Sequence, residues 1–177
     1  MTQVIKIFPV IALFVLFSSC SSDDSTEMST FSETDILGQW VLIELNSTPA
    51  IDIENNGNLE ENIMLQTSCF DGWGLNFEAN ANFTANSSDI DFNPTASPSL
   101  VCTPRTDSGT FSLAGNDLTV SVLVDGNVET QTISITIDNN TLSFTATESE
   151  VAAFFNIPDD EIYSDLLSIE FVLQKIN

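Results

Sequence analysis

The side chains best suited to chemistry are three thiols and 26 carboxylates, in a chain of 177 residues that has no histidine. Without histidine there is no Ser-His-Asp or Cys-His catalysis and no His-ligated metal site. What remains is thiol chemistry at Cys20, Cys69 and Cys102, paired carboxylates, and oxygen-ligated calcium or magnesium. A carboxylate pair could hydrolyse a glycosidic bond. With 26 acids to choose from, no pair stands out, so no catalytic residue is assigned and no enzyme is expected. No cofactor is implied.

Two acidic groups have spacing worth weighing. In Asp52-Ile53-Glu54-Asn55-Asn56-Gly57, oxygen-bearing side chains at Asp52, Glu54 and Asn56 alternate and then meet glycine, as at the start of a calcium loop. The flanking helices are missing, and Ile63 stands where the bidentate glutamate belongs. A polar hairpin loop is the plainer reading, and no metal is expected. The second group is Asp89 and Asp91, with Asp71 brought near if Cys69 is tied to Cys102.

Cys20 differs from the other two cysteines. It follows an apolar run from Ile7 to Phe17 that has Lys6 ahead of it and Ser18 and Ser19 behind. A membrane-spanning helix needs about 20 apolar residues, and this run is about half that. It fits the core of a secretory signal peptide over residues 1–19. Phe17-Ser18-Ser19-Cys20 resembles a bacterial lipobox, which implies cleavage before Cys20, lipidation of its thiol and attachment to a membrane. Residues 20–34 then read as a Ser- and acid-rich tether with too little to bury for folding. Ser21-Ser22-Asp23-Asp24 resembles the acidic export signal of surface lipoproteins in Bacteroidota-type bacteria. The expectation is an outer-membrane lipoprotein at the cell surface.

With Cys20 lipidated, Cys69 and Cys102 form an even pair in an exported protein, and a disulfide is expected. It would stabilise the fold by about 3–4 kcal/mol in the chain-entropy model. Once Lys6 leaves with the leader, only Arg105 and Lys175 are basic. Nucleic acid, which demands many cations, is excluded as a partner. So is direct adsorption to anionic lipid, and the lipid must do the anchoring.

The elements that must hold these residues are strands. Trp40–Leu45 is apolar on both faces and reads as a buried strand, followed by a polar loop from Asn46 to about Glu61. Ile63–Thr67 reads as a second strand. Trp73–Thr84 alternates, with Leu75, Phe77, Ala79 and Phe83 near one face. Pro94, Pro98 and Pro104 mark a long loop from Ala85 to Asp107, with a short edge strand at Asp89–Phe92. Thr110–Leu113 and Leu118–Val124 form a hairpin about Gly115-Asn116. Val128–Ile137 and Thr141–Ala146 follow, each after a turn rich in Asn, Asp or Gly. Glu148–Phe155 and Pro158–Leu166 read as two short helices, with Phe154 and Phe155 capping the core. Ser168–Ile176 is a last strand. About eight sequential strands suggest an up-and-down barrel over residues 35–177, whose closure removes exposed edges.

Leu37-Gly38-Gln39-Trp40-Val41-Leu42, then Ser108-Gly109-Thr110-Phe111, then Gly115-Asn116-Asp117-Leu118-Thr119-Val120 and Thr141-Leu142-Ser143-Phe144 resemble, in order, the lipocalin-like domains of Bacteroidota lipoproteins. The resemblance runs from about Asp35 to Lys175. It implies an all-β barrel, a barrel floor at Trp40 and a cation, Lys175, covering that indole; the helical insertion before the last strand and the loop from Ala85 to Asp107 go beyond the family's minimal pattern. Phe77, Phe83, Phe111 and Phe144 are candidate lining for a small apolar or amphipathic ligand. Small eight-stranded barrels can also be filled by their own side chains. The alternative is therefore a filled barrel acting as an accessory subunit of an outer-membrane complex.

Overall fold

The computed structural model describes residues 31–92, 100–124, 127–147, 150 and 168–176. The leader, Cys20 and the tether up to residue 30 lie outside these residues. So do Pro94 and Pro98, and all of the expected helical insertion except Glu150.

A four-residue helix, α1 (Glu33–Ile36), precedes nine strands: β1 (Gly38–Ile51), β2 (Glu60–Asn62), β3 (Gly74–Phe77), β4 (Asn82–Phe92), β5 (Leu100–Ala114), β6 (Asp117–Val124), β7 (Asn127–Asp138), β8 (Thr141–Thr147) and β9 (Ser168–Ile176). All pair antiparallel. β1 pairs with both β3 and β9, so eight strands close into a ring and β2 is an extra strand on β1. The expected all-β barrel is present. α1 overlaps the last two residues of the expected tether, 33 and 34.

Hairpin connections alternate between the two ends of the ring. One end carries α1 and the tight turns β3–β4, β5–β6 and β7–β8, with Gly115 and Asn139 at positive φ. Both residues tolerate the left-handed conformation that two-residue hairpins require. The other end, the mouth, receives the β4–β5 and β8–β9 connections and the two-residue connection between β6 and β7.

Four segments depart from the sequence expectation. β1 looks apolar on both faces because it carries a bulge. Leu42 pairs with Leu173 and Glu44 with Val172, leaving Ile43 as the extra residue. An extra residue reverses the side-chain alternation. Trp40 and Leu42 point inward before it, Leu45 and Ser47 after it, and Ile43 is exposed. The strand then continues to Ile51, through what reads as loop. Ile63–Thr67 is not a strand: Ile63–Leu65 and Ser68–Phe70 are single 3₁₀ turns. Short apolar runs do not distinguish strand from helix by pattern. Trp73–Thr84 is a hairpin, in which Phe77 pairs with Phe83. The loop from Ala85 to Asp107 is largely two long strand arms in unbroken register from Asn82↔Thr110 to Phe92↔Leu100. Pro104 fits there because that stretch of β5 pairs with β4 alone, leaving its other edge free.

β3 is short, so the mouth half of the wall between β1 and β4 lacks a strand. The 3₁₀ turns fill the gap with Ile63, Cys69 and Phe70, all buried. Phe70 meets Trp73 edge-on at 5.1 Å. The core is otherwise the barrel interior: Trp40, Leu42, Phe77, Phe83, Phe111, Leu118, Ile135, Leu142 and Leu173.

Candidate functional site

The closed end is built around Trp40. Its partner across the β1–β9 ladder is Lys175, so the two side chains share a face. The Lys175 ammonium stands 5.1 Å from the indole centroid and donates to the Asp35 carbonyl at 3.2 Å. The indole N–H donates to the Ile36 carbonyl at 2.7 Å. Trp40 and Ile36 are fully buried. Helix α1 thus lies across the barrel end and satisfies both polar groups. The Asp35 carboxylate accepts from the Ser32 amide and hydroxyl, each at 2.8 Å. These bonds hold its carboxyl below the usual range. The pairing of Trp40 with Lys175 is the one that the resemblance implies. Ser32, Asp35 and Ile36 were missed, although Ser-x-x-Asp ahead of an apolar residue is a helix-start pattern.

Above this floor sits an aromatic plug. Phe77 meets Phe111 edge-on at 4.9 Å and Phe83 at 6.2 Å. All three are at most 5% exposed and pack against one another. Phe144 is not part of this cluster. It stacks on Phe171 at 4.7 Å, with planes 8° apart, and is half-buried. The four candidate lining residues therefore divide: three fill the closed half, and one faces the open half.

Burial falls steadily toward the mouth along the inward face of β6, β7 and β8. Leu118 is buried, but Val120 and Val122 are half-buried. Leu142 is buried, but Phe144 and Ala146 are half-buried. Ile135 is buried, Ile133 half-buried and Gln131 exposed. On the neighbouring β4–β5 hairpin, Arg105, Asp89 and Asp107 share the face that carries Phe83 and Phe111 deeper down. Arg105 bonds Asp89 at 3.0 Å and Asp107 at 2.8 Å, and both carboxylates raise its pKa. Glu150 closes the β7–β8 side of the rim, accepting from the Thr147 amide and hydroxyl and from Gln131. These bonds lower its pKa. The open half thus combines apolar residues on β6–β8 with a charged cluster on the neighbouring β4–β5 hairpin.

Cys69 and Cys102 are joined, with Cα atoms 5.5 Å apart. Cys102 pairs with Ile90 on the opposite face of the hairpin from Arg105. The bridge ties the hairpin's far half to the 3₁₀ turns. Asp52, Glu54 and Asn56 do not form a ligand set. Both Asp52 oxygens accept backbone amides, from Asn56 and Gly57, and the Asn56 side chain accepts from the Asn58 amide. The alternation that resembles a calcium loop is a self-capped turn. Among the described residues, no three acidic or cysteine side chains converge to hold a metal. Of the second acidic group, Asp89 is bonded to Arg105, and the Asp91 side chain lies outside the described residues.

A family model described as a lipocalin-like domain matches residues 36–144. Among solved structures, the chain is similar to a lipocalin-like protein from Bacteroides uniformis ATCC 8492. Identity is 15%, covering 80% of this chain and 99% of that one, with a TM-score of 0.39. It is also similar to an uncharacterized protein from Bacteroides eggerthii DSM 20697, at 10% identity over 79% of this chain and 98% of that one, with a TM-score of 0.40. No curated protein matches.

Proposed function

The chain belongs to the lipocalin-like domain family, and from that premise we propose that it is an exported, lipid-anchored carrier. Its barrel holds one small apolar or amphipathic molecule in the mouth half without transforming it. The observation that carries this reading is the burial gradient on β6–β8. A barrel filled throughout by its own side chains would keep Val122, Phe144 and Ala146 as buried as Leu118 and Leu142 beneath them. The Arg105, Asp89 and Asp107 cluster on the neighbouring hairpin suits the polar end of an amphipathic ligand. The aromatic plug sets the depth, because the ligand stops at Phe77, Phe83 and Phe111. Export and anchoring rest on the apolar leader and on Phe17-Ser18-Ser19-Cys20. Surface display rests on Ser21-Ser22-Asp23-Asp24.

An uncharged, environment-sensitive naphthylamine dye tests the site. The full chain binds it saturably at one equivalent, and Val122→Asp abolishes binding while the melting temperature of the closed half persists. Dye binding that is unchanged in Val122→Asp, or absent from the wild type, overturns the carrier reading. Native mass spectrometry of protein taken from its own envelope identifies the ligand. Cys20→Ala removes fatty-acid labelling; labelling that persists refutes the anchor.

A further inference from the structure

The charge around the barrel mouth is one-sided. Val122, half-buried on the inward face of β6, pairs with Glu129 on β7. Cross-strand partners share a face, so the Glu129 carboxylate stands at the upper edge of the apolar wall. Glu150 lies on the same side, held by Gln131 and Thr147. Asp89 and Asp107 stand on the neighbouring β4–β5 hairpin. Among the described residues, the cation that meets these carboxylates is Arg105, and it already bonds Asp89 at 3.0 Å and Asp107 at 2.8 Å. That cluster of three keeps one negative charge in excess. No other part of the chain can reverse the balance. Its three basic residues are Lys6, Arg105 and Lys175, and it has no histidine. Lys6 belongs to the leader, and Lys175 lies at the closed end over Trp40. Residues 93–99, 125–126 and 148–167 contain no Lys, Arg or His, so they can add only neutral or negative groups.

We propose that the molecule held in the mouth is an amphipathic cation, whose apolar tail lies against Val120, Val122 and Phe144 and whose ammonium head meets the rim carboxylates. This inference rests on the carrier reading and narrows it. The half-buried wall supplies the site, and the charges select its ligand. A carboxylate head would find Arg105 alone to receive it. To engage Arg105 it must displace Asp89 or Asp107, which then loses its counter-charge in a mouth that is already negative. An uncharged head avoids that conflict but leaves the excess charge uncompensated. An ammonium head compensates it, and hydrogen bonds between ionised partners are about twice as strong as neutral ones. The hydrogen bonds to Glu150 hold its carboxyl below the usual range, which keeps it ionised as a partner. The field of a chain with 26 acidic residues also draws cations in and turns anions away.

The test displaces the uncharged naphthylamine dye from the full chain with decylammonium, decanol and decanoate, which share one tail and differ in the head. All are used below the concentrations at which they aggregate. Decylammonium displaces the dye at a concentration about tenfold below that of decanol, and decanoate needs about tenfold more than decanol. Asp89→Asn with Asp107→Asn leaves Arg105 uncompensated and narrows the gap between decylammonium and decanoate by about tenfold. Asp117→Asn with Asp138→Asn, beside the tight turns of the closed end, makes the same change in net charge. It moves that gap less than about twofold, because salt screens charges so far from the mouth. Circular dichroism verifies that each variant is folded. If the dye binds but all three competitors displace it equally, or decanoate displaces it best, the cationic ligand is overturned and the carrier stands. An equal change from the two pairs of substitutions assigns the preference to net charge and overturns selection by the mouth. A wild type that binds no dye overturns the carrier reading and this inference with it.

Discussion

Gly109 tests the barrel geometry most directly, because its replacement by alanine adds one methyl group where the structure has no room. Gly109 pairs with Phe83 on β4 and with Val122 on β6, so three strands meet at it. A Cβ there would run into the Ser121 carbonyl oxygen and lie 3.0 Å from Phe83 Cε1. The obstruction is mainly backbone, so it cannot rotate away. Either the β5–β6 ladder opens or Phe83 is pushed into Phe77 and Phe111. Overpacking costs about 1–3 kcal/mol, and a backbone obstruction belongs at the top of that range. For a domain of this size, about 3 kcal/mol lowers the melting temperature by about 6–12 °C. Gly115→Ala is the control. Gly115 has φ +66° and no atom within 4 Å of the added carbon, so only the left-handed penalty of about 1–2 kcal/mol applies. Thermal and urea unfolding, followed by tryptophan fluorescence, compare the two. If Gly109→Ala melts no lower than Gly115→Ala, the close approach of β5 and β6 is wrong.

Three further outcomes follow from the same contacts. Cys102→Ser, opening a bridge with a sequence separation of 33, costs about 3–4 kcal/mol in the chain-entropy model. Hydrogen exchange then rises first at residues 63–70 and 100–107; equal loss at the β6–β7 ladder would mean that the bridge supports the whole core. Lys175→Met costs about 0.5–1 kcal/mol from the lost cation over Trp40 and leaves the Asp35 carbonyl without that donor; an unchanged urea midpoint would show that the floor does not use the cation. The depressed Asp35 pKa contributes stability to the α1 cap above the ordinary carboxylate pKa, near 4, and that contribution is lost as pH falls through the folded value. On an NMR pH titration the Trp40 indole N–H signal shifts on acidification in the wild type but not in Asp35→Asn; the same titration in both would remove the carboxylate from the cap.

The strands that were legible are those with one wet face and one dry face between short turns. β6, β7, β8 and β9 announce themselves through Leu118, Ile133, Ile135, Leu142 and Leu173, each two residues from the next inward position. β1 was legible as a strand but not as a surface, because the bulge at Ile43 puts apolar residues on both parities. The far arms of β4 and β5 were hidden for a different reason. Thr103 to Thr106 are exposed, so the backbone ladder and the disulfide, rather than burial of alternate residues, hold that stretch. A polar sequence held mainly by its ladder reads as loop. At the site, Trp40 and Lys175 could be paired through the family resemblance, with only Arg105 and Lys175 left as basic residues to choose between. The division of the four phenylalanines could not. Phe144 and Phe111 look alike in sequence, and only the stagger between strands puts one beside Phe77 and the other against Phe171.

That stagger also explains why one end of the barrel can be rigid while the other is free to recognise a ligand. The floor collects three tight turns, the α1 cap, the Trp40 hydrogen bond and the three packed phenylalanines. At the mouth the inward residues of β6–β8 are half-buried, while Leu45 on β1 and Ile169 on β9 stay buried. Loops set on a rigid base are where binding specificity usually resides, and here base and loops are separated along one axis. The chain also enters at the floor, through Ser32 and α1. In chain order the proposed anchor at Cys20 therefore precedes the floor, the end opposite the mouth that the proposed ligand enters.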